Sequence, residues 1–556
     1  MIGKFKFGFL VLLITTGCSK NNPTPAPVVI PPAALLFNGA TINNQAASST
    51  NNYNISITPT IKLSFNAPVN RSVTASNISY TENSGASINY SIAYENNDSS
   101  IVLAATTALK NISQYRLSVL TGLKSAAGGS LSAQENLKFT TKIDSTAKFP
   151  LLADDELLTL VQQQTFKYFW NFAHPVSGLA RERNTSGETV TSGGSGFGIM
   201  TLPVAINRNF ITRAQGLARM QQIVGFLKNT AVKVKGAFPH WLNGSTGAII
   251  AFSPNDDGAD LVETSFLMAG LLTARQYFND PGTAETNLRN DINVLWNGVE
   301  WDWFRNGGQN VLYWHYSTSK AWAMNLPIRG WNESLITYIM AASSNTHAIP
   351  ATVYTAGWAG GSGFNNGASY YGYQLPLGPD KGGPMFFSHY SFLGINPNGL
   401  NDVYANYTTQ TKNHSLINYN YCRTNPNNYF GYSQDCWGLT ASDIQNGYTA
   451  SSPTNDVGVI APTAALSSFP YSPSESMKAL KFYYYILGDK IFKEYGFTDA
   501  FALKDTWFAD SFLAIDQGPI IIMIENYRTG LLWNLLTSCP EIKSGMRNLG
   551  FTAPYL

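Results

Sequence analysis

The sequence predicts a mainly α protein: an (α/α)6 barrel, a toroid of helical hairpins, over residues 145–556, preceded by a small β-sandwich over residues 34–144. Three observations predict it. Residues 34–144 alternate apolar and polar positions in short runs, broken by Asn, Ser and Gly about every ten residues. Beyond residue 149, apolar residues recur at helical spacing in roughly a dozen stretches joined by long loops. Strand signal between those stretches is too sparse for a β/α barrel.

Length and composition narrow the function classes. A chain of 556 residues has ample length for a large core. A net charge of +2 with 13% charged residues argues against a nucleic-acid partner, which needs a basic patch. Aromatic residues reach 13%, with 12 Trp and 29 Tyr, and together with many Asn and Gly they suit a neutral polar ligand such as a sugar.

The chain opens on a targeting pattern. In residues 1–17, Lys4 and Lys6 precede an apolar core of about ten residues, too short to span a bilayer. Thr16-Gly17-Cys18 follows and resembles a bacterial lipoprotein signal, in which Cys18 becomes the lipidated first residue. Thr15 departs from the usual aliphatic residue, and an ordinary signal peptide is the other reading. Residues 18–33, with NNPTPAPVVIPP at their centre, form a Pro-rich, semi-rigid tether. The expected location is lipid-anchored in the bacterial cell envelope, periplasmic or surface-facing, with membrane contact through the anchor alone. Cys422, Cys436 and Cys539 remain, and no Cys-x-x-Cys occurs, so neither a disulfide framework nor a zinc site is indicated.

Within residues 34–144, TIKLSF at 60–65 and SSIVL at 99–103 read as half-buried strands, and KFTTK at 138–142 as a closing strand. The region resembles bacterial Ig-like domains of surface proteins. A spacer is the plain reading, and a glycan-binding accessory module the alternative.

Helices are expected over 151–172, 212–228, 253–277, 286–303, 331–344, 402–421, 472–487 and 518–536, with shorter pieces near Met200, Phe387, Ala464 and Asp499. The loop GWAGGSGFNNGASYYGY at 357–373 is long enough to suggest function.

The stretch 253–277 organises the rest. It begins with Pro, Asn, Asp and Gly, then turns almost wholly apolar, as a helix inside a large core does. Asp256, Asp260 and Glu263 are spaced i, i+4, i+7, and they share one face if the preceding turn is helical. Asp257 reads as a helix N-cap. Glu263 lies too far in to cap, so a polar pocket is its better explanation.

Several motifs stand together with it: SGFGIMTLPVAINRNFI, KGAFPHWLNGSTG, SPNDDGADLVETSFLMAGLLTARQYF, RGWNESLITYIMA, CWGLTASD and DQGPIIIMIENYRTGLLWNLL. In order and over nearly the whole second domain, this set resembles the glucoamylase-like domain of bacterial β-1,2-glucan hydrolases, glycoside hydrolase family 144. The resemblance implies an (α/α)6 barrel that hydrolyses β-1,2-glucan or its oligosaccharides with inversion. Related domains occur in cyclic β-1,2-glucan synthases. The family's acidic cluster maps onto Asp256, Asp260 and Glu263, and its fourth acid onto Glu333.

Inverting hydrolysis needs one carboxyl to protonate the leaving oxygen and another to activate water on the far face of the sugar. Glu333 is assigned as the acid and Asp256 as the base, with Asp260 and Glu263 completing the catalytic group. Glu333 also reads as an acid that complements a helix dipole. Asp257 and Asp443 join the substrate-binding set, as do His240 and Arg329 for sugar hydroxyls. Trp241, Trp314, Trp331, Tyr370, Tyr371 and Trp437 are candidate sugar platforms, each with core packing as its alternative. Trp296, Trp301 and Trp303 read as core. Glu525 is expected to pair with Arg528, Asp516 to cap a helix, and Glu475 to be a first-turn acid.

The rival classes are weaker. Six scattered histidines form no His-x-x-x-His, and no nucleophile elbow or phosphate loop occurs. No cofactor and no metal are expected. A polysaccharide lyase on the same fold would need more basic residues. A non-catalytic glycan-binding lipoprotein would favour aromatics and amides over four acids. Endo and exo action both stay open.

Overall fold

Helix on helix is the dominant contact in most of the chain, for the reason the apolar stretches suggest. The computed structural model describes residues 30–556. They fall into two units: residues 30–50, 58–107 and 116–137, and residues 51–57, 108–115 and 138–556. The signal peptide, Cys18 and most of the tether lie outside the described residues.

The first unit holds a five-stranded antiparallel sheet. Its strands are β1 (Phe37–Ile42), β2 (Gln45–Ala46), β3 (Thr60–Phe65), β4 (Tyr90–Glu95) and β5 (Ser100–Ala105), in the order β2-β1-β3-β5-β4. Alternation in β3 explains its register. Ile61, Leu63 and Phe65 are buried, while Thr60, Lys62 and Ser64 are not. Ile61 pairs with Leu103 and Leu63 with Ile101 of β5, so the apolar positions share one face.

The second unit is helical. Its main helices are α1 (Asp154–Trp170), α2 (Ser192–Asn207), α3 (Arg213–Asn229), α4 (Leu261–Tyr277), α5 (Thr283–Asn297), α6 (Leu335–Ser343), α7 (Tyr407–Thr424), α8 (Pro473–Lys481), α9 (Ala514–Arg528), α10 (Leu531–Thr537) and α11 (Pro540–Asn548). Two classes are visible. In α2, α4, α6 and α9 nearly every side chain is buried; in α3 and α11 only one stripe is. The buried helices touch one another: α2 packs on α4 and α9, and α4 on α6. One-sided helices back them, α1 on α9 and α11 on α6.

The approach of α2 to α4 depends on glycine. A Cβ on Gly196 would lie 2.3 Å from the Phe266 carbonyl oxygen, and one on Gly270 would lie 2.3 Å from that of Gly196. Neither position has room for a side chain, because the neighbour in each case is backbone. The contact sets the first turn of α2 beside the first turn of α4.

Several helix limits differ from expectation. The piece near Met200 is the full helix α2, with Pro203 inside it and four glycines in its first two turns. Low intrinsic propensity hid it, and burial overrides that propensity. The stretch 286–303 divides at Gly298, and 518–536 divides at Gly530, whose φ is +70°. The helix expected from 331 starts at Leu335, and the one from 402 starts at Tyr407. Near Asp499 the chain forms a two-stranded pairing, Phe501–Ala502 with Trp507–Phe508, with a single 3-10 turn, Leu503–Asp505, between the strands. Glu525 pairs with Arg208 at 2.8 and 2.9 Å, not with Arg528, which turns to Asp155 at 2.7 Å. Glu525 faces the core, where α2 ends, so its cation comes from another helix. Glu475 does lie in a first turn. Cys422, Cys436 and Cys539 are buried free thiols. Among the described residues, no helix is long and apolar enough to cross a membrane.

Candidate active site

The start of α4 builds the site. Asp260 is its N-cap: Oδ1 accepts the N–H groups of Val262 at 3.0 Å and Glu263 at 2.9 Å. The cap expected at Asp257 is therefore at Asp260. Asp257 instead accepts the Ser319 hydroxyl at 2.7 Å and holds the 317–321 turn. Neither Asp256 nor Asp260 is helical, so the three acids do not meet through helical spacing. They meet because a turn (Asp256 N–H to Ser253 carbonyl, 3.0 Å) and a short strand lead into the helix.

Two short strand pairs bring histidines to these acids. Ala259–Asp260 pairs antiparallel with His315–Tyr316, and His315 stands opposite Asp260. Trp241–Asn243 pairs with Thr189–Thr191, which places His240 just above α2. His240 Nδ1 lies 3.0 Å from Asp260 Oδ2 and 4.0 Å from Asp256 Oδ2. His315 Nε2 lies 3.3 Å from Asp256 Oδ2 and 3.5 Å from Asp260 Oδ2. Glu263 Oε2 accepts the Gly193 N–H at 2.7 Å and the Thr191 hydroxyl at 3.3 Å. Glu333 sits two residues before α6; its carbonyl accepts the Ser391 hydroxyl, which itself accepts the Ile336 N–H at 3.0 Å.

All four acids and both histidines line one cavity of about 320 Å³, with Phe252, Trp314, Phe386, Tyr390 and Tyr448 among its walls. A second cavity of about 370 Å³ shares His240, Phe252, Tyr448 and Ile515 with it and adds Trp241, Glu182 and Arg183. A third, about 590 Å³, shares Arg183 and Tyr448 with the second and continues to Trp507 and Phe508. The three adjoin through these shared walls and line one cleft-like row.

The electrostatics sort the carboxyls. Burial pushes the Glu333 carboxyl up to about 7, with the Glu263 and Asp260 charges adding to it. Burial and the Asp260 charge raise Asp256 to about 6 against the pull of His315 and His240. Burial would raise Asp260 too, but hydrogen bonds from His240 and His315 outweigh it and hold Asp260 well below the usual carboxylate range. Glu263 is raised by burial. Burial would lower His240, yet the Glu263, Asp260 and Asp256 charges hold it up at about 9. Both oxygens of Asp256 are buried without an aligned hydrogen bond from the protein.

His240, Asp256 and Asp260 also bring three ligand atoms within 4.8 Å of one another, a spacing that could hold a cation. His240 Nδ1 and Asp260 Oδ2 are already bonded to each other, and the carboxylate charges raise the proton affinity of both imidazoles.

The remaining sequence candidates are dispersed. Trp314 is in the acid cavity, ring to ring with His315 at 5.7 Å; Trp241 is in the second cavity. Trp331 is no platform: it is 4% exposed and packs among Trp358, Phe392 and Tyr407. Trp437 is fully buried, its Nε1 donating to the Glu475 carbonyl at 3.1 Å. Arg329 is exposed and donates to the Ala356 carbonyl at 3.2 Å. Tyr370, in the hairpin 369–374, donates to Asp380 at 2.6 Å; neither it nor Tyr371 lines the cleft. Asp443 lies in the third cavity, paired with Arg183 at 3.1 and 3.2 Å. Asp516 does not cap: Leu513 occupies the N-cap position without a side-chain bond, and Asp516 is buried in the first turn of α9 beside Asp499. His315, Phe252, Tyr390 and Tyr448 line the acid cavity without standing among the sequence candidates. Only His315 carried a signal, its place beside Trp314.

The chain is similar to known proteins in both of its parts. Residues 325–540 match the family model described as "Putative glucoamylase", and residues 41–141 match a bacterial Ig-like domain. An exo-β-1,2-glucooligosaccharide sophorohydrolase (non-reducing end) of Parabacteroides distasonis is 44% identical over 428 residues, 73% of this chain. The match spans 59% of that relative's length. A Bacteroides uniformis structure carrying the same description as the first family model is 56% identical with a TM-score of 0.73, covering 73% of this chain and 100% of its own. The endo-β-1,2-glucanase of Chitinophaga pinensis, solved with sophorotriose and glucose, is 50% identical with a TM-score of 0.71, over 73% of this chain and 100% of its own.

Proposed function

Because the chain belongs to the glucoamylase-like family that includes the Chitinophaga pinensis endo-β-1,2-glucanase, glycoside hydrolase family 144, we propose that it hydrolyses β-1,2-glucan or its sophorose-type oligosaccharides. One observation carries the reading. A single cavity joins a carboxyl raised to about 7 with a carboxylate whose two oxygens have no aligned protein partner.

In this reading Glu333 is the general acid. It holds its proton near neutral pH and passes it to the leaving glycosidic oxygen as the bond breaks. Asp256 is the base. It takes a proton from water that attacks the anomeric carbon on the opposite face, so the product anomer is inverted. Asp260 and His240 keep the site's charge in place, and His315 holds Asp256 ionised. Glu263, bonded to the start of α2, ties the two inner helices at the mouth. Trp314 and Trp241 offer flat faces to glucosyl units.

The finer architecture belongs to the same proposal. The fully buried helices α2, α4, α6 and α9, each beside more exposed ones, support an (α/α)6 barrel with the acids at one mouth. Cys18 is proposed as a lipid attachment site that anchors the chain in the cell envelope; loss of detergent-phase partitioning in Cys18→Ser checks it.

The deciding experiment is hydrolysis of linear β-1,2-glucan by the full chain, followed by NMR of the nascent anomer. The reading expects cleavage with an α-anomeric product, and strong loss in both Glu333→Gln and Asp256→Asn. No cleavage of the polymer or its oligosaccharides sinks the glucan reading, and a β-anomeric product sinks inversion.

A further inference from the structure

One side chain that takes no part in the acid chemistry borders the whole cleft. Tyr448 lines the acid cavity, the cavity of Trp241 and Arg183, and the outer cavity of Trp507 and Phe508; it is the one residue common to the linings of all three. It is 50% exposed. Among the described residues its ring stacks on no other ring and its hydroxyl has no hydrogen-bond partner. A large ring left half uncovered inside a groove keeps its contact surface for whatever enters.

The ring is presented from a braced hairpin. Its strands run Ala441–Ile444 and Gly447–Ala450, and Asp443 stands directly opposite Tyr448. Asp443 receives both bonds from Arg183 Nη1 and the Ser511 hydroxyl at 2.6 Å, while its N–H donates to Asp499 Oδ2 at 2.7 Å. Three separate segments thus hold the strand opposite the ring. Ala441 and Ala450 on the same hairpin line the acid cavity with side chains too small to meet a sugar face. Tyr448 is the hairpin's one large group at the acids.

We propose that Tyr448 is a specificity-determining residue for chain length: its ring meets the glucosyl unit next to the one being cleaved, where the chain passes from the acid cavity into the outer cleft. This rests on the β-1,2-glucan reading. A short substrate that ends inside the acid cavity gains little from the ring, and a long one crosses it.

The test measures kcat and KM of the full chain on β-1,2-glucooligosaccharides of increasing length and on the polymer. It compares the unaltered chain with Tyr448→Ala and Tyr448→Phe. Losing one stacking face raises KM for the polymer and long oligosaccharides about tenfold in Tyr448→Ala. On the shortest cleaved oligosaccharide its kcat/KM stays within about twofold, and Tyr448→Phe stays near the unaltered chain throughout. Tyr448→Val, whose side chain suits a strand, repeats the test if the alanine variant melts early. An active chain in which the loss is equal at every length, or absent at every length, overturns the role of Tyr448 alone. An unaltered chain that cleaves none of these glucans overturns the glucan reading and this proposal with it.

Discussion

His315 Nε2 lies 3.3 Å from Asp256 Oδ2, a buried carboxylate that accepts no aligned hydrogen bond from the protein. The imidazole therefore acts on Asp256 through charge. Its own affinity for protons is raised, because the Asp260 and Asp256 carboxylates outweigh its burial. This explains how a carboxylate can stay ionised in a cavity that burial would otherwise neutralise.

His315→Gln removes that charge while keeping much of the bulk. Asp256 then loses its strongest opposing influence, and the acid limb of the kcat profile moves to higher pH. At about pH 5 the turnover falls by about tenfold for each unit of movement. A pH–rate profile checks this, with circular dichroism to confirm the fold. An acid limb that stays in place would separate His315 from the base.

Glu333 and Asp256 together define a bell. The base must be ionised and its carboxyl sits at about 6; the acid must be protonated and sits at about 7. Activity therefore falls below about pH 6 and again above about pH 7, as two macroscopic steps of a coupled cluster. Glu333→Gln lowers kcat by about 10²–10⁴-fold on glucan and abolishes the alkaline limb. On an aryl β-sophoroside with a good leaving group it loses much less, since that oxygen needs little protonation.

Gly196 permits the close contact of α2 and α4. Gly196→Ala drives a methyl group into the Phe266 backbone, and overpacking of this kind costs about 1–3 kcal/mol. Thermal unfolding of the full chain should show a lower midpoint. Activity should fall further than stability alone requires, because the same contact sets Gly193 against Glu263.

Asp499 and Asp516 form a second buried acid pair, behind the hairpin that carries Tyr448. Burial raises Asp499 to about 7 and, with the Asp499 charge, holds Asp516 well above the carboxylate range. A carboxyl raised in the folded state binds protons more tightly there than when unfolded. Between the ordinary carboxylate value and about pH 7, this pair therefore costs stability as pH rises. Asp516→Asn removes one of the two charges. The drop in thermal midpoint between about pH 5 and about pH 8 should become smaller. An unchanged drop would show that the pair keeps no shared proton.

Much of the fold was legible because its signals are local. The alternation at 60–65 became β3 with the expected residues inside, and the apolar run after residue 260 became α4. The helix α2 was not legible. Glycines in its first turns and Pro203 within it contradict helix propensity, and only packing against α4 and α9 overrides them. Trp331 and Trp437 show the converse limit. Beside a motif they read as platforms, but a Trp next to an acid in sequence is as free to point into the core, and these two do.

The amino-acid sequence by itself determined the helical class, the β-rich N-terminal region, the family and the four acids, because each is written in periodicity or in contiguous motifs. Tertiary structure decided which groups share the cavity and what each carboxyl can do there. Asp260 and His315 are 55 positions apart and meet across two short strands; Glu263 finds Gly193, 70 positions away, through a contact of helices. A carboxyl's affinity for its proton depends on burial and on charges a few ångströms away. Those neighbours come from distant segments, so the folded chain alone sets the difference between Glu333, Asp256 and Asp260.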